Sequence, residues 1–137
     1  MKNVFILLAI ITLIYTASCR RERNEWIRIN QLGYRINDIK VAVFLSKKAL
    51  NLQSFKVIEV SSGDVAMTFR NIVKAESLDP FISCYRLPFT DLIKSGIYRI
   101  VAGNAISPDF RIADDVYDVT ADFLLNYMRQ QRYGYNP

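Results

Sequence analysis

The sequence predicts an all-β sandwich followed by one C-terminal amphipathic helix. Between Trp26 and Ile112, short runs rich in Val, Ile, Phe and Tyr are broken by turn residues at intervals of roughly eight to twelve positions. At Asp114 the apolar period changes from that of a strand to that of a helix. The chain has 137 residues, enough for one ordinary domain that buries about two-thirds of its unfolded surface without metal or disulfide staples. With 51% hydrophobic and 23% charged residues, a disordered or low-complexity protein is excluded. Histidine is absent, which removes His-based general bases, Ser-His-Asp triads and nearly every zinc site.

The strands follow in order. Trp26-Ile27-Arg28-Ile29-Asn30 alternates between apolar and polar residues. Ile39 to Ser46 is a near-continuous apolar run, the pattern of a central strand buried on both faces. Ser54 to Val60 and Val65 to Arg70 flank Ser61-Ser62-Gly63-Asp64, a hairpin in which Gly63 is free to take positive φ. Ser83 to Phe89 puts Tyr85, Leu87 and Phe89 on one face, and Pro88, which has no N–H, marks a strand end or an edge. Gly96 to Ala102 and Asp109 to Ile112 bring the expected total to about seven.

The helix is expected over residues 116–131, about 16 residues and roughly 24 Å long. Val116, Val119, Phe123 and Tyr127 fall on one stripe, with Tyr117, Leu124 and Met128 beside it. Asp115 reads as its N-cap, Asp118 as a first-turn acid that favours the helix dipole, and Gly134 as the stop. A sandwich fills its own core, so this broad apolar face has no partner within the domain. That points to a partner beyond Pro137, and to an incomplete chain.

The N-terminus reads as an export signal. Met1-Lys2-Asn3 is a short positive start, Val4 to Ala17 is an apolar run too short to span a bilayer as a helix, and Ser18-Cys19 follows. Thr16-Ala17-Ser18-Cys19 resembles the lipobox of bacterial lipoproteins, in which the cysteine is acylated and becomes the new N-terminus. Thr16 stands where that motif usually carries an aliphatic residue. Residues 1–18 are thus expected to be a signal peptide of lipoprotein type and Arg20 to Glu25 a solvated tether within 19–25. The product would be a lipoprotein anchored in the outer or cell-surface membrane, with simple secretion as the other route. The net charge of +5 becomes +4 without Lys2, and no Lys/Arg run beyond Arg20, Arg21 and Arg23 suggests nucleic acid. If Cys19 carries lipid, Cys84 has no internal disulfide partner and no histidine to activate it, so it reads as an inert strand residue.

Asn30-Gln31-Leu32-Gly33-Tyr34, preceded by Ile27-Arg28-Ile29 and followed by Lys40-Val41-Ala42-Val43, carries a family resemblance. It resembles the start of the N-terminal immunoglobulin-like domain found before the catalytic domain in many bacterial family-nine glycoside hydrolases, the cellulase-type enzymes. The likeness continues in Tyr85 to Thr90, in Gly96-Ile97-Tyr98-Arg99-Ile100 and in Ser107 to Ile112. The helix then looks like the first helix of that family's α/α barrel, closing on Gln131-Arg132-Tyr133-Gly134, with Tyr133 where the family commonly has cysteine. The resemblance implies an immunoglobulin-like domain over residues 26–114 and, over 115–137, the first helix of a truncated catalytic domain. It marks Asn30, Gln31, Gly33 and Tyr34 as structural signature residues. Val116, Val119, Phe123, Leu124, Tyr127 and Met128 become a domain-interface helix.

The family's catalytic groups, an Asp-Ala-Gly-Asp type pair and a far C-terminal glutamate, have no counterpart in this sequence. No catalytic residue, cofactor or metal ligand is therefore expected here. Asp114, Asp115, Asp118 and Asp122 are spaced as a helix start, and no calcium-loop pattern is apparent. The implied function is structural support of a polysaccharide-degrading barrel. The expected partners are that downstream catalytic domain, a β-glucan polysaccharide and, through the lipid, the membrane. A stand-alone carbohydrate-binding or surface-adhesion lipoprotein is the alternative. For it, Trp26, Tyr34, Tyr85 and Tyr98 are the aromatic candidates, although each is better explained by packing.

The anchor is directly testable. Cys19→Ala is expected to abolish metabolic lipid labelling and to release the protein from the membrane fraction. Undiminished labelling in that variant removes the lipoprotein assignment.

Overall fold

The computed structural model describes residues 23–132, and within them two antiparallel sheets face each other across one core. The first sheet contains β1 (Glu25–Arg28), β2 (Val41–Ser46), β6 (Ser83–Pro88) and β5 (Val73–Ala75), in that order. The second runs β4 (Val65–Phe69), β3 (Phe55–Glu59), β7 (Gly96–Ala102) and β8 (Ala105–Ile106), with β9 (Phe110–Ile112) also pairing with β7. One helix, α1 (Thr120–Arg132), closes the described chain. The expected all-β sandwich with a C-terminal helix is the observed fold.

Alternation along the strands builds the core. Ala42, Phe44 and Ser46 of β2 turn inward, opposite Leu87, Tyr85 and Ser83 of β6. From the other sheet come Phe55 and Val57 of β3 and Tyr98 and Ile100 of β7. Phe89 and Phe110 meet at a centroid distance of 5.4 Å, and Phe55 stacks on Phe69 at 5.1 Å. The β3–β4 hairpin turns where expected, with Gly63 at φ +77°.

Several expectations are corrected. There are nine strands among the described residues, because β5 and β8 are only three and two residues long and show no pattern of their own. β2 is central but is not buried on both faces, since Val43 lies on the open outer face at 37% exposure. Pro88 ends β6 as expected, paired with Val41 of β2 and beyond the reach of β5, whose pairing stops at Arg86. The helix begins at Thr120 and not at 116, with residues 114–119 in turns, so Asp115 is not its N-cap. Asp115 is instead hydrogen-bonded to Arg111. Cys84 lies buried in β6 as a free thiol, as expected of a strand residue. Cys19 and Gly134 fall outside the described residues.

Two buried side chains carry polar groups that need partners, and only the tyrosine was expected in the core. Lys40 is fully buried, and its ammonium donates to the carbonyls of Ile36 at 2.6 Å and Asp38 at 3.1 Å. Burial pulls its pKa down against the opposing pull of Asp38. Tyr98 is fully buried and donates from its hydroxyl to the Lys94 carbonyl at 3.0 Å.

Burial pushes the Tyr98 phenol up from the usual tyrosine range near about 10, and the nearby Glu59 carboxylate adds to the rise. A pKa raised by folding means that the folded state holds the proton more tightly. The corresponding stability is complete below the unfolded pKa and is lost as pH rises through the folded one. The thermal midpoint is therefore expected to fall above about pH 10. In Tyr98→Phe that alkaline decline should be shallower, at a cost of about 1 kcal/mol at neutral pH for the lost hydrogen bond. An unchanged alkaline slope in the variant would show that Tyr98 does not contribute to it.

Candidate functional site

The signature turn after β1 is built around a side chain that folds back on its own backbone. The Asn30 carboxamide oxygen accepts from the Leu32 N–H at 3.1 Å, and its amide nitrogen donates to the Gly33 carbonyl at 2.9 Å. Asparagine suits such a turn because its short side chain mimics the backbone. Gly33 sits at φ +105°, and a Cβ there would run into the Arg111 carbonyl oxygen and come within 3.2 Å of Val116 Cγ1. Position 33 thus demands glycine for both conformation and space. Gln31 and Leu32 are exposed at the tip.

Tyr34 converts this turn into an anchor. Its N–H donates to Arg111 O at 2.9 Å, and its carbonyl accepts from the Ala113 N–H at 3.1 Å. This two-bond exchange, a parallel bridge between Tyr34 and Ile112, ties the start of the domain to its last strand. The ring is buried edge-on against Phe89 and Phe110, and the hydroxyl donates to Val41 O at 2.9 Å. Burial raises its pKa, the Asn30 backbone N–H lowers it, and Tyr117 adds a smaller rise.

The same turn holds the segment that leaves the sandwich. The Tyr117 hydroxyl donates to Gly33 O at 2.8 Å and accepts from the Asn30 amide at 3.3 Å. The Arg35 guanidinium lies 5.6 Å above the Tyr117 ring. Arg111 pairs with Asp115 at 2.5 and 2.7 Å, holding that carboxyl below the usual carboxylate range. Together these contacts clamp residues 111–117 onto the turn, so the helix begins later than its apolar period suggests.

Of the predicted signature residues, Asn30, Gly33 and Tyr34 are brought together here, while Gln31 lies exposed at the tip of the turn. Of the predicted interface helix, Val116 is half-buried in the clamp. Val119 precedes the helix and is exposed, as are the helical Phe123, Leu124, Tyr127 and Met128. No residue of α1 is buried. Of the aromatic candidates, Tyr34, Tyr85 and Tyr98 are core residues, and Trp26 is half-buried edge-on to Phe81. Among the described residues no three His, Cys, Asp or Glu side chains converge as a metal site, and Asp114, Asp118 and Asp122 are spread over the turns and the first helical turn. Sequence reasoning missed Tyr117, Arg35 and Arg111. Tyr117 alone carried a signal, as an aromatic at the edge of the helical stripe.

Residues 22–107 match the family model described as "Cellulase N-terminal ig-like domain". The chain belongs to that family. It is 32% identical over 109 residues to the xyloglucan-specific endo-beta-1,4-glucanase BoGH9A of Bacteroides ovatus, covering 80% of this chain and 18% of that protein. A solved Bacteroides ovatus GH9 structure superposes with a TM-score of 0.65 at 28% identity, over 77% of this chain and 18% of the other. A metagenome-derived glycoside hydrolase family 9 endoglucanase has the same fold at 24% identity and a TM-score of 0.56, over 69% and 19% of the respective chains. The chain thus spans less than a fifth of the length of these relatives. The match covers the signature turn and ends at Ser107, before Arg111 and Tyr117.

Gly33→Ala is expected to cost about 1–3 kcal/mol, as strained backbone plus a collision with the Arg111 carbonyl. Gly63→Ala shares the positive φ but meets nothing within 4 Å, so its cost should be smaller. Equal losses in the two denaturant midpoints would show that close packing at Gly33 adds nothing.

Proposed function

We propose that this chain is the accessory immunoglobulin-like domain of an exported, lipid-anchored glycoside hydrolase, and that it orients and braces a catalytic domain following α1. The observation that carries this reading is the clamp. A sandwich with a complete core has no need to fasten the segment leaving it, yet Tyr117, Arg111 and Asp115 are all engaged in doing so. Fixing the exit direction is what a rigid support requires, since domain motion is the default without a firm junction. The exposed Phe123, Leu124, Tyr127 and Met128 supply an apolar face for the supported domain.

Catalysis is assigned to that following domain. Glycoside hydrolysis needs two carboxyls set across the scissile bond, and the acidic groups here are paired or dispersed instead. The substrate class is a β-glucan, supported by the likeness to the xyloglucan-specific endo-beta-1,4-glucanase of Bacteroides ovatus.

The test is a chimera in which residues 26–132 replace the matching N-terminal segment of the Bacteroides ovatus xyloglucanase. The chimera should keep the thermal midpoint and kcat of that enzyme more closely than a version lacking the segment. Tyr117→Ala within it should lower the midpoint. A chimera no better than the headless enzyme, or one indifferent to Tyr117→Ala, would remove the bracing role. The 137-residue chain alone should release no reducing sugar from β-glucans.

A further inference from the structure

Among the described residues Lys40 is the only charged side chain that is buried, and its burial is complete. The ion pairs of these residues join Lys94 to Glu59, Arg99 to Asp109 and Arg111 to Asp115, so the Lys40 ammonium lies outside all of them. It donates instead to two backbone carbonyls, those of Ile36 and Asp38. Burying a charge is costly, and an apolar residue of similar volume often serves stability as well or better. What the ammonium adds is direction, because it fixes where two carbonyls of one turn point. Its own backbone is a firm base for this. The Lys40 N–H donates to Thr90 Oγ1 at 3.2 Å, and its carbonyl accepts from the Phe89 N–H at 2.9 Å.

The turn held in this way is the second of two that flank Tyr34, and each grips a different part of Tyr117. The first turn, closed by the Asn30 side chain, receives the Tyr117 hydroxyl at Gly33 O. The second is closed by Asp38. Its N–H donates to Arg35 O at 3.2 Å, and its carboxylate accepts from the Arg35 N–H at 3.1 Å. From that turn the Arg35 guanidinium reaches over the Tyr117 ring. Arg35 is exposed, and a long exposed side chain holds one position over a ring only at a cost in rotamer freedom. A fixed backbone beneath it keeps that cost from growing.

We propose that Lys40 is a positioning residue for the clamp, acting through the 35–38 turn and Arg35 to hold the Tyr117 ring. A methionine at position 40 would keep an unbranched stem in the core but leave the Ile36 and Asp38 carbonyls undirected, and Arg35 would sit over the ring for less of the time. The inference deepens the bracing role and rests on it for its purpose. The coupling itself lies within this chain, so it is measured without any following domain, and a failed chimera would not touch it.

The test is amide hydrogen exchange on the full 137-residue chain, held in a non-ionic detergent. It is read at Asp38, whose N–H bonds to Arg35 O, and at Asp118 and Thr120, whose N–H groups bond to Asp115 O and Tyr117 O. Lys40→Met should speed exchange at all three, by about two- to fivefold at Asp118 and Thr120, the equivalent of one exposed cation–π contact. β3 and β7 should be less affected, since they open only with the sandwich as a whole. Arg35→Ala should reproduce the loss at Asp118 and Thr120, and combining it with Lys40→Met should add nothing further there. An equal acceleration in β3 and β7, or a Lys40→Met chain that does not fold, would make Lys40 a contributor to overall stability and overturn the proposal. Unchanged exchange at Asp118 and Thr120 in either single variant, or additive losses in the double variant, would overturn it as well.

Discussion

The parallel bridge between Tyr34 and Ile112 joins the beginning of this domain to its end, and the function-bearing geometry hangs from it. Tyr34 gives its N–H to Arg111 O and takes the Ala113 N–H, while its ring packs edge-on against both Phe89 and Phe110. Because the backbones of the two segments are registered, Gly33 is brought against Arg111 and Val116, and its carbonyl is left facing Tyr117. The same residue therefore closes the core and aims the exit of the chain. A larger residue at position 33 would push apart the two strands that Tyr34 holds together.

This coupling explains why the acidic stretch after β9 is misread when taken by itself. Asp115 and Asp118 ahead of an apolar stripe have the composition of a helix start. In three dimensions Arg111, two residues before the last strand hands over to the turns, captures Asp115, and Gly33 captures Tyr117. Tertiary contacts thus take the first turn of the expected helix and spend it on the junction, and the helix starts at Thr120. The start at Thr120 shows that the Tyr117 hydrogen bond and the Arg111–Asp115 ion pair, acting together, prevail over the local helix signals at Asp115 and Asp118.

Much of the sandwich was legible because its strands alternate. Tyr85, Leu87, Phe89 and Tyr98 are inward residues that alternation marks, and Gly63 announces its own hairpin, whereas the near-continuous run of β2 hides which of its residues face outward. β5 and β8 were not legible, since two or three residues carry no period and owe their pairing to β6 and β7. Lys40 is the sharper failure. A lysine in an apolar run reads as a surface residue, and only the carbonyls of Ile36 and Asp38, folded over it by the preceding loop, make its burial possible. Of the clamp, the Asn-Gln-Leu-Gly-Tyr turn stood out as a pattern, but its purpose needed residues more than 80 positions away.

The helix and the clamp make physical sense only as one device. A helix of 13 residues with no buried side chain gains nothing from packing, and isolated helices of that length are marginal in water. Phe123, Leu124, Tyr127 and Met128 are each more than half exposed, so the sandwich does not compensate for the missing burial. Fastening the segment before such a helix orders its first residues and so lowers the entropy cost of holding its apolar face in one direction. A loose tether in place of the clamp would leave the helix free to turn about the sandwich. The hydrogen bonds at Gly33 and the ion pair at Asp115 remove that freedom at the one place where the chain crosses from the sheets to the helix. They are short-range and sit at the pivot, where small restraints have the greatest leverage on the direction of the helix.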